Sequence, residues 1–275
     1  MTTSPSSRAR SAIILVAGLG SRLNEMGRLA PKGLLRLGAK SIIEESILRL
    51  LANGMERIVI VTGHLPEQFD PLEVSYRGVV ELVHNPQFAD SGSMYSLFCA
   101  RDLVEEDFLL LESDLVYERR CLTACLAAPS RNVVLLTGFS QTSDEVFVAT
   151  RSGYLHSMSK DRRALAEEAP DCEIKGELVG ISKISRELFS IMIEKAMVRF
   201  RATLHMDYES NCLVAAAQET PIKCVLIEDL ICCEIDYAEH FARARDVIYP
   251  AVVAKDGVEK GGEENRASPL AGASQ

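Results

Sequence analysis

The chain has 275 residues, 47% of them hydrophobic and 25% charged, with a formal net charge of −9 at pH 7. This composition is ordinary for a globular protein, and the negative charge argues against non-specific binding to nucleic acid or to an anionic membrane. No apolar run approaches the ~20 residues of a membrane span, and residues 1–10 lack the pattern of a signal peptide. We therefore expect a cytoplasmic protein without a nucleic-acid or membrane partner.

The organisation predicted along the chain is a disordered lead at residues 1–10, one domain at residues 11–252 and a disordered tail at residues 253–275. The tail is rich in Gly, Glu and Ser, so it has little apolar material to bury, and deleting residues 256–275 should cost little stability. The eight cysteines show no C-x-x-C pair. We expect them to be reduced, mostly buried thiols.

A glycine-containing loop follows the first predicted strand, at residues 12–17. Gly18 and Gly20 let the backbone turn tightly and approach a ligand closely, and the N–H groups of such a loop can hold phosphate oxygens. Arg22 and Lys32 add positive charge to the same loop. The pattern predicts a phosphate-binding loop, against the alternative of an ordinary turn with two solvated cations.

Two common nucleotide-binding loops do not match this pattern. A dinucleotide fingerprint needs a third glycine where Leu23 stands, and a P-loop needs a Gly-Lys-Ser/Thr sequence that does not follow. The loop is therefore predicted to bind a triphosphate in another way.

The next predicted elements form a β-α-β unit. Ser41 and Glu44 make a capping box at the start of a helix over residues 41–53, and the apolar run at residues 57–63 reads as a buried parallel strand. Ligands of such sheets bind at the carboxyl ends of the strands, where Gly18 and Gly63 are placed.

Further strands are predicted at residues 79–83, 108–114, 132–137, 144–150, 154–158, 176–181 and 222–227. Further helices are predicted at residues 94–100, 185–197, 212–217 and 234–248. The strands at 144–150 and 154–158 read as a hairpin, which breaks the strict β-α-β alternation. The predicted fold class is therefore α/β, with a Rossmann-like, mixed but mostly parallel sheet flanked by helices.

Three later patterns could serve chemistry, and each has a structural alternative. Residues 91–93 (Ser-Gly-Ser) precede a helix and could present N–H groups to a nucleotide, or could simply cap that helix. Asp114 follows a buried strand and could hold Mg²⁺ over phosphates, or could cap a turn. The basic cluster at residues 159–163, which contains Lys160, Arg162 and Arg163, could bind an anionic group or form a solvated turn.

Taken in order, these motifs resemble the nucleoside-triphosphate transferases, and within them the 2-aminoethylphosphonate cytidylyltransferases and the bacterial phosphocholine cytidylyltransferases. The resemblance covers about residues 12–250. It is carried by residues 18–32, 62–64, 91–94, 109–114, 143–146, 155–162, 176–180, 206–209 and 234–236.

The resemblance implies a fold of the nucleotide-diphospho-sugar transferase type and a reaction in which CTP and a small phosphonate give a CMP-phosphonate and pyrophosphate. It implies Mg²⁺ held by Asp114 and Asp236, and is compatible with a homodimer. The implied catalytic residues are Lys32, Arg22 and Lys160. The implied nucleotide-binding residues are Leu15, Ala17, Gly18, Gly20, Ser21, Arg22, Gly63, Ser91, Gly92 and Ser93.

The acceptor is expected to be 2-aminoethylphosphonate, with phosphocholine or 2-hydroxyethylphosphonate as the alternatives. Lys160 and Glu177 are implied to bind it, and Asp207 and Glu209 are the candidates for its ammonium group. Asp207 and Glu209 could instead stabilise the start of a helix. Similarly, Asp236 could be the N-cap of the last helix, with Glu239 as its capping-box partner.

Two other classes of protein remain as hypotheses. A dinucleotide-dependent oxidoreductase would share the β-α-β start, but Leu23 argues against it. A nucleotide sensor without catalysis would keep the loop, but the joint presence of Lys32, Asp114 and Asp236 argues against it.

Overall fold

The computed structural model describes residues 9–140 and 145–266, with side chains described up to residue 257. The strands are β1 (Ser11–Val16), β2 (Arg57–Thr62), β3 (Val80–His84), β4 (Phe108–Glu112), β5 (Leu115–Tyr117), β6 (Val133–Thr137), β7 (Phe147–Arg151), β8 (Tyr154–Ser159), β9 (Glu173–Ile184), β10 (Lys223–Ile227) and β11 (Cys232–Glu234).

The described helices are α1 (Glu25–Leu29), α2 (Ile42–Ala52), α3 (Asp70–Ser75), α4 (Ser93–Cys99), α5 (Arg120–Ala127), α6 (Arg162–Glu168), α7 (Arg186–Arg199), α8 (Val214–Ala217), α9 (Ala238–Arg243) and α10 (Tyr249–Arg266). A π-helical turn, Tyr208–Leu213, leads directly into α8. No helix in the described ranges is long and apolar enough to cross a membrane.

The described strands form one large sheet in the order β3-β2-β1-β4-β9-β6-β10-β8-β7, and a separate two-stranded ribbon pairs β5 with β11. β1 lies parallel to both β2 and β4, and β6 lies parallel to β10. β9 is antiparallel to β4 and to β6, and β7 and β8 form an antiparallel pair. The predicted mixed, mostly parallel α/β sheet is confirmed.

Strand alternation divides the core between the two faces of the sheet. In β1, Ile13 and Leu15 belong to a cluster on one face, while Ala12, Ile14 and Val16 belong to a cluster on the other. Side chains of successive strand residues point to opposite faces, so a strand that is apolar throughout must be covered on both sides. Both faces of the sheet are therefore covered, and the ends of the strands remain accessible.

Local capping signals in the sequence mark where several helices begin. Ser41 and Glu44 form the predicted capping box at the start of α2. Asp161 accepts hydrogen bonds from two backbone N–H groups at the start of α6, and Ser185 accepts one at the start of α7. The described cysteines are all free, and Cys121 and Cys125 are buried on α5, as expected.

Three predicted boundaries differ in the structure. Residues 232–234 form a strand, and the following helix α9 begins only at Ala238, because β11 pairs with β5. The chain also stays ordered past residue 252, since α10 continues to Arg266 and Asp256 is buried. At the other end, Ala9 is buried and Arg10 pairs with Glu56; residues 1–8, 141–144 and 267–275 lie outside the described residues.

Candidate active site

A cleft of about 360 Å³ opens at the carboxyl ends of β1 and β4. Because these strands are parallel, the loops after them meet at the same edge of the sheet. The residues that line the cleft are 15–18, Arg22, Lys32, Phe88, 91–93, Ser96, 112–114, Val146, Lys160, Leu178, 207–209, Glu234 and Asp236.

Lys32 lies between two carboxylates in this cleft. Its Nζ is 2.8 Å from Oδ2 of Asp114 and 2.5 Å from Oδ1 of Asp236. All three side chains are mostly shielded from solvent, with 17%, 14% and 11% of their surfaces exposed. Burial alone would lower the pKa of Lys32, but the two carboxylates outweigh it and hold this pKa above its ordinary value. Lys32 is therefore a fixed positive charge.

The β5–β11 ribbon brings these two carboxylates together. Asp114 immediately precedes β5, Asp236 follows β11 by two residues, and Glu234 pairs with Leu115 in the ribbon. The N–H of Ile235 donates to the carbonyl of Asp114 at 3.1 Å. The ribbon thus joins residues that are more than a hundred positions apart in the sequence.

The alternative that Asp236 caps the last helix is wrong. The residue at the N-cap position of α9 is Tyr237, and no side chain caps that helix. Asp236 instead pairs with Lys32 and, at 3.1 Å, with Nη2 of Arg22. Its side chain faces the cleft rather than the end of a helix.

The glycine loop meets the expectation only in part. Gly20 has a left-handed φ of 62°, which favours glycine, but Gly20 and Ser21 do not line the cleft, and neither does Gly63. A Cβ at Gly18 would meet nothing within 4 Å, so the fold itself does not require glycine there. Leu15, Ala17, Gly18 and Arg22 do line the cleft.

The turn at Ser91–Ser93 lies on another wall of the cleft and is held by buried polar contacts. Nδ2 of the buried Asn85 donates to Oγ of Ser91 at 3.1 Å and to Oγ of Ser96 at 3.0 Å. A Cβ at Gly92 would lie 2.4 Å from the carbonyl oxygen of Met206. Glycine is therefore required where this turn contacts the chain that leads to Tyr208.

Three half-buried acidic groups, Glu112, Glu209 and Glu234, line the same cleft. Oγ of Ser93 donates to Glu209 at 3.3 Å, and the hydroxyl of Tyr208 donates to Glu112 at 3.0 Å. Burial first, and then the negative charges nearby, raise the pKa of Glu112 and of Glu234 well above the ordinary value; burial also raises the pKa of Glu209. Asp207, in contrast, is exposed.

Lys160 and Glu177, both expected to bind the acceptor, lie in adjoining spaces. Lys160 is at the end of β8 and lines the cleft, whereas Glu177 lines a second cavity of about 280 Å³. Leu178 and Glu234 border both spaces. Glu177 is buried and accepts a hydrogen bond from the N–H of Ser140 at 3.0 Å.

The structure therefore brings most of the expected residues to one cleft and leaves Gly20, Ser21, Gly63 and Glu177 outside its lining. It also adds residues that sequence reasoning had not assigned to the site, among them Glu112, Tyr208 and Glu234. Glu112 and Glu234 each stand two positions before a predicted metal ligand, and this shared Glu-x-Asp pattern was the signal that could have found them.

Asp114 and Asp236 are a suitable pair for Mg²⁺. Magnesium is usually bound through one or two carboxylates together with substrate phosphates, and both carboxylates here already face the same ammonium group, that of Lys32. Within the described ranges, no group of three or more His, Cys, Asp or Glu side chains could hold a metal ion. The donor set thus fits a metal that arrives with a phosphate ligand.

A family model for the MobA-like NTP transferase domain matches residues 12–187. The chain belongs to this family. The matched segment contains Arg22, Lys32 and Asp114, while Asp207, Glu209, Glu234 and Asp236 lie beyond its end. The MobA-like domain thus receives part of its cleft from the C-terminal region.

Similar proteins include the 2-aminoethylphosphonate cytidylyltransferase of Lancefieldella rimae, 35% identical over 152 residues, or 54% of this chain and 61% of the relative. The CMP-5'-(3-aminopropyl)phosphonate synthase of Streptomyces rubellomurinus is 32% identical over 155 residues, or 55% of this chain and 25% of the relative. The matches thus span less than two thirds of these relatives' lengths.

The fold is shared with CTP:phosphocholine cytidylyltransferase from Streptococcus pneumoniae. That structure aligns with a TM-score of 0.65 and 22% identity, covering 87% of this chain and 99% of the other. The nucleotide-diphospho-sugar transferase fold predicted from the sequence is therefore confirmed.

Proposed function

We propose that this protein is a cytidylyltransferase that couples CTP to a small aminoalkylphosphonate, 2-aminoethylphosphonate, and releases pyrophosphate. The observation that carries the proposal is the Lys32 ammonium held between Asp114 and Asp236, in a cleft that also contains Arg22 and Lys160. Two relatives named for aminophosphonate chemistry support the choice of substrates.

In this reaction an oxygen of the phosphonate attacks the α-phosphorus of CTP. A new P–O bond forms, and the bond to the β-phosphate oxygen breaks, so that pyrophosphate leaves with the electron pair. Both reactants are anions, and fixed positive charge is therefore the main requirement. Lys32 supplies it at the centre of the cleft, and its two carboxylate contacts orient the ammonium before substrate arrives.

The nucleotide is assigned to the walls formed by residues 15–18, Arg22 and residues 91–93. The backbone near Gly18 is open to a ligand, and Arg22 provides a planar guanidinium suited to phosphate oxygens. The Ser91–Ser93 turn opens α4, and the hydroxyl of Ser91, which accepts from Asn85, can still donate to the rest of the nucleotide.

Mg²⁺ is proposed to bind Asp114 and Asp236 when the nucleotide is present. When bound, it would neutralise charge on the phosphate oxygens. Lys32, which lies between these two carboxylates, would direct its N–H groups to the α-phosphate and the attacking oxygen. Asp236 lies two residues after β11, and the β5–β11 ribbon keeps it opposite Asp114.

The phosphonate end of the acceptor is assigned to Lys160 and Lys32, and its ammonium end to the second cavity. This cavity adjoins the cleft, because Leu178 and Glu234 line both spaces. Its acidic lining residues are Glu145, Glu177, Glu228 and Glu234, and Arg243 is the single Lys or Arg among the described lining residues. Glu209, expected at the ammonium, is instead hydrogen-bonded to Ser93 on the nucleotide wall.

The test of the reaction is pyrophosphate release, screened over the four ribonucleoside triphosphates with 2-aminoethylphosphonate, 2-hydroxyethylphosphonate and phosphocholine, with and without Mg²⁺. We expect release with CTP and 2-aminoethylphosphonate, and loss of release when chelator removes Mg²⁺. Binding of CTP without release under any condition would support a nucleotide sensor, and absence of CTP binding would refute the proposal.

The acceptor assignment predicts selectivity for a primary amine. A primary ammonium donates hydrogen bonds to carboxylates, whereas a quaternary ammonium is usually held by aromatic faces, and the chain has no Trp. We expect kcat/KM for 2-aminoethylphosphonate to exceed that for phosphocholine by about tenfold or more, a difference of about 1.4 kcal/mol.

Two isosteric variants test where the ammonium group of the acceptor binds. Glu177→Gln should narrow the tenfold preference, because the amide can still accept from Ser140 but carries no charge. Asp207→Asn should leave the preference unchanged. The reverse result would place the ammonium beside Asp207, and equal use of phosphocholine by the unaltered enzyme would contradict the amine pocket while leaving cytidylyl transfer in place.

A further inference from the structure

The guanidinium of Arg22 contacts two consecutive residues from the C-terminal region. Its Nη2 lies 3.1 Å from Oδ1 of Asp236, and its Nη1 donates to the hydroxyl of Tyr237 at 3.3 Å. The Cζ atom also lies 5.2 Å from the centre of the Tyr237 ring. Arg22 therefore has both a carboxylate and an aromatic face as neighbours, although its side chain is 46% exposed.

The Tyr237 ring itself packs against a second aromatic ring. The ring of His240 packs edge-on against it, with the centroids 5.1 Å apart and an interplanar angle of 79°. The Nδ1 atom of His240 accepts a hydrogen bond of 3.4 Å from the N–H of Asp236. The aromatic face is thus tied to the same short segment that carries the Asp236 carboxylate.

We propose that Tyr237 is a positioning residue for Arg22. The proposal rests on the proposed function, in which Arg22 binds the triphosphate of CTP. Tyr237 is two thirds buried and does not line the cleft, so it acts through Arg22 rather than on the nucleotide itself.

Attraction between opposite charges cannot by itself perform this role. Asp236 also pairs with Lys32, and a Coulomb attraction sets a distance but not the plane of a guanidinium. The Tyr237 ring adds an aromatic contact and a hydroxyl acceptor that together limit how far the guanidinium can turn. Tyr237 thereby keeps Arg22 at the cleft wall in one orientation before CTP arrives, which reduces the entropy lost on binding.

Calorimetric titration with CTP tests the role of the ring in the complete protein. For Tyr237→Leu we expect Kd for CTP to rise by about fivefold, within the range of one cation–π contact, with little change in kcat at saturating CTP. Tyr237→Met repeats the test with a longer flexible side chain. Tyr237→Phe keeps the ring and should bind CTP within about twofold of the unaltered protein.

Tyr154→Leu is the matched control. Tyr154 is also partly exposed, and its ring also faces a cation, with Nζ of Lys223 4.8 Å from its centroid. It does not line the cleft, so its loss should leave Kd for CTP unchanged.

A double-mutant cycle separates positioning from a general structural effect. In the Arg22→Ala background, Tyr237→Leu should have almost no further effect on Kd, because a positioning residue has nothing left to position. Equal losses in both backgrounds, or unchanged CTP binding by both Tyr237→Leu and Tyr237→Met, would overturn the inference. If the unaltered protein itself did not bind CTP, the proposed function would fail instead.

Discussion

Lys32 shows how the neighbours of a residue determine its chemistry. Lysine is strongly hydrated, and burying its ammonium is costly unless it is paired. Two carboxylates within 2.8 Å compensate for that burial here. The same contacts that stabilise the charge also fix where it lies, so one lysine can serve as an oriented electrostatic group.

Removal of this charge should affect the transition state more than substrate binding. We expect Lys32→Ala to lower kcat by about 10²-fold or more, with a smaller change in KM for CTP, because charge shifts most during attack. Steady-state kinetics with pyrophosphate detection provides the measurement. A change in KM alone would make Lys32 a ground-state binder.

Asp114 gives the complementary prediction. Asp114→Asn keeps the side-chain shape, so the fold should persist, but turnover should fall by about 10²-fold as one preorganised electrostatic element is lost. Asp102→Asn is the control, because Asp102 is exposed and precedes β4, whereas Asp114 follows that strand. Near-normal turnover of Asp114→Asn at saturating Mg²⁺ would exclude this residue as a metal ligand.

Gly18 and Gly92 should respond differently to alanine, although both were predicted to bind nucleotide. At Gly92 the new Cβ would lie 2.4 Å from a backbone oxygen, so Gly92→Ala should lower the free energy of unfolding by about 1–3 kcal/mol. Gly18→Ala meets open space and should fold normally but bind CTP more weakly. Chemical denaturation and CTP titration of both variants distinguish the two roles.

The β5–β11 ribbon is the element that assembles the candidate site. It is only three residue pairs long, and so short a pairing is not stable by itself. Glu118, which is fully buried, follows β5 and accepts a hydrogen bond from the N–H of Ile231 just before β11. Arg120 and Lys255 neutralise Glu118. This contact closes the end of the ribbon opposite Asp114 and Asp236.

Glu118→Gln should therefore destabilise the protein, by about 2 kcal/mol, because the buried side chain loses its charge-assisted contacts with Arg120 and Lys255. Asp229→Asn is a matched control, since Asp229 pairs with the same Arg120 and Lys255 but is 73% exposed. The control should change stability little, because ion pairs of exposed side chains contribute little. Similar losses in urea denaturation for both variants would show that burial of Glu118 is not the deciding factor.

Across the whole molecule, the C-terminal helix α10 is part of the fold. Val252 is buried, and Asp256 pairs with Arg49 of α2 and accepts a hydrogen bond of 2.9 Å from the N–H of Arg119. Composition alone predicts that residues 256–275 contribute little, whereas the structure places Asp256 in contact with the rest of the fold. α10 thus connects helix α2 to Arg119, which follows β5.

Two truncations measure this contribution. Deleting residues 258–275 should cost little stability, since that segment is polar. Deleting residues 256–275 should cost about 3 kcal/mol more, because Arg49 then loses a buried partner. The measurement is thermal melting of both truncated proteins. Equal melting midpoints would contradict this expectation.

The sequence by itself determined the elements with strong local signals. The apolar run of β1, the capping box of α2 and the hairpin of β7 and β8 follow from short-range patterns, and the structure contains all three. The glycine loop after β1 and the acid after β4 could also be assigned to the site from the sequence. The reason is that parallel strands present their carboxyl ends at the same end of the sheet.

Tertiary structure decided how distant segments meet. The short strand β11 exists because β5 offers it a partner, and no local pattern in residues 232–234 requires a strand. That pairing turned Asp236 from a possible helix cap into a partner of Lys32 and placed Tyr237 against Arg22. Likewise, Asp256 is buried only because Arg49 and Arg119 lie opposite it, and composition cannot reveal contacts between residues so far apart.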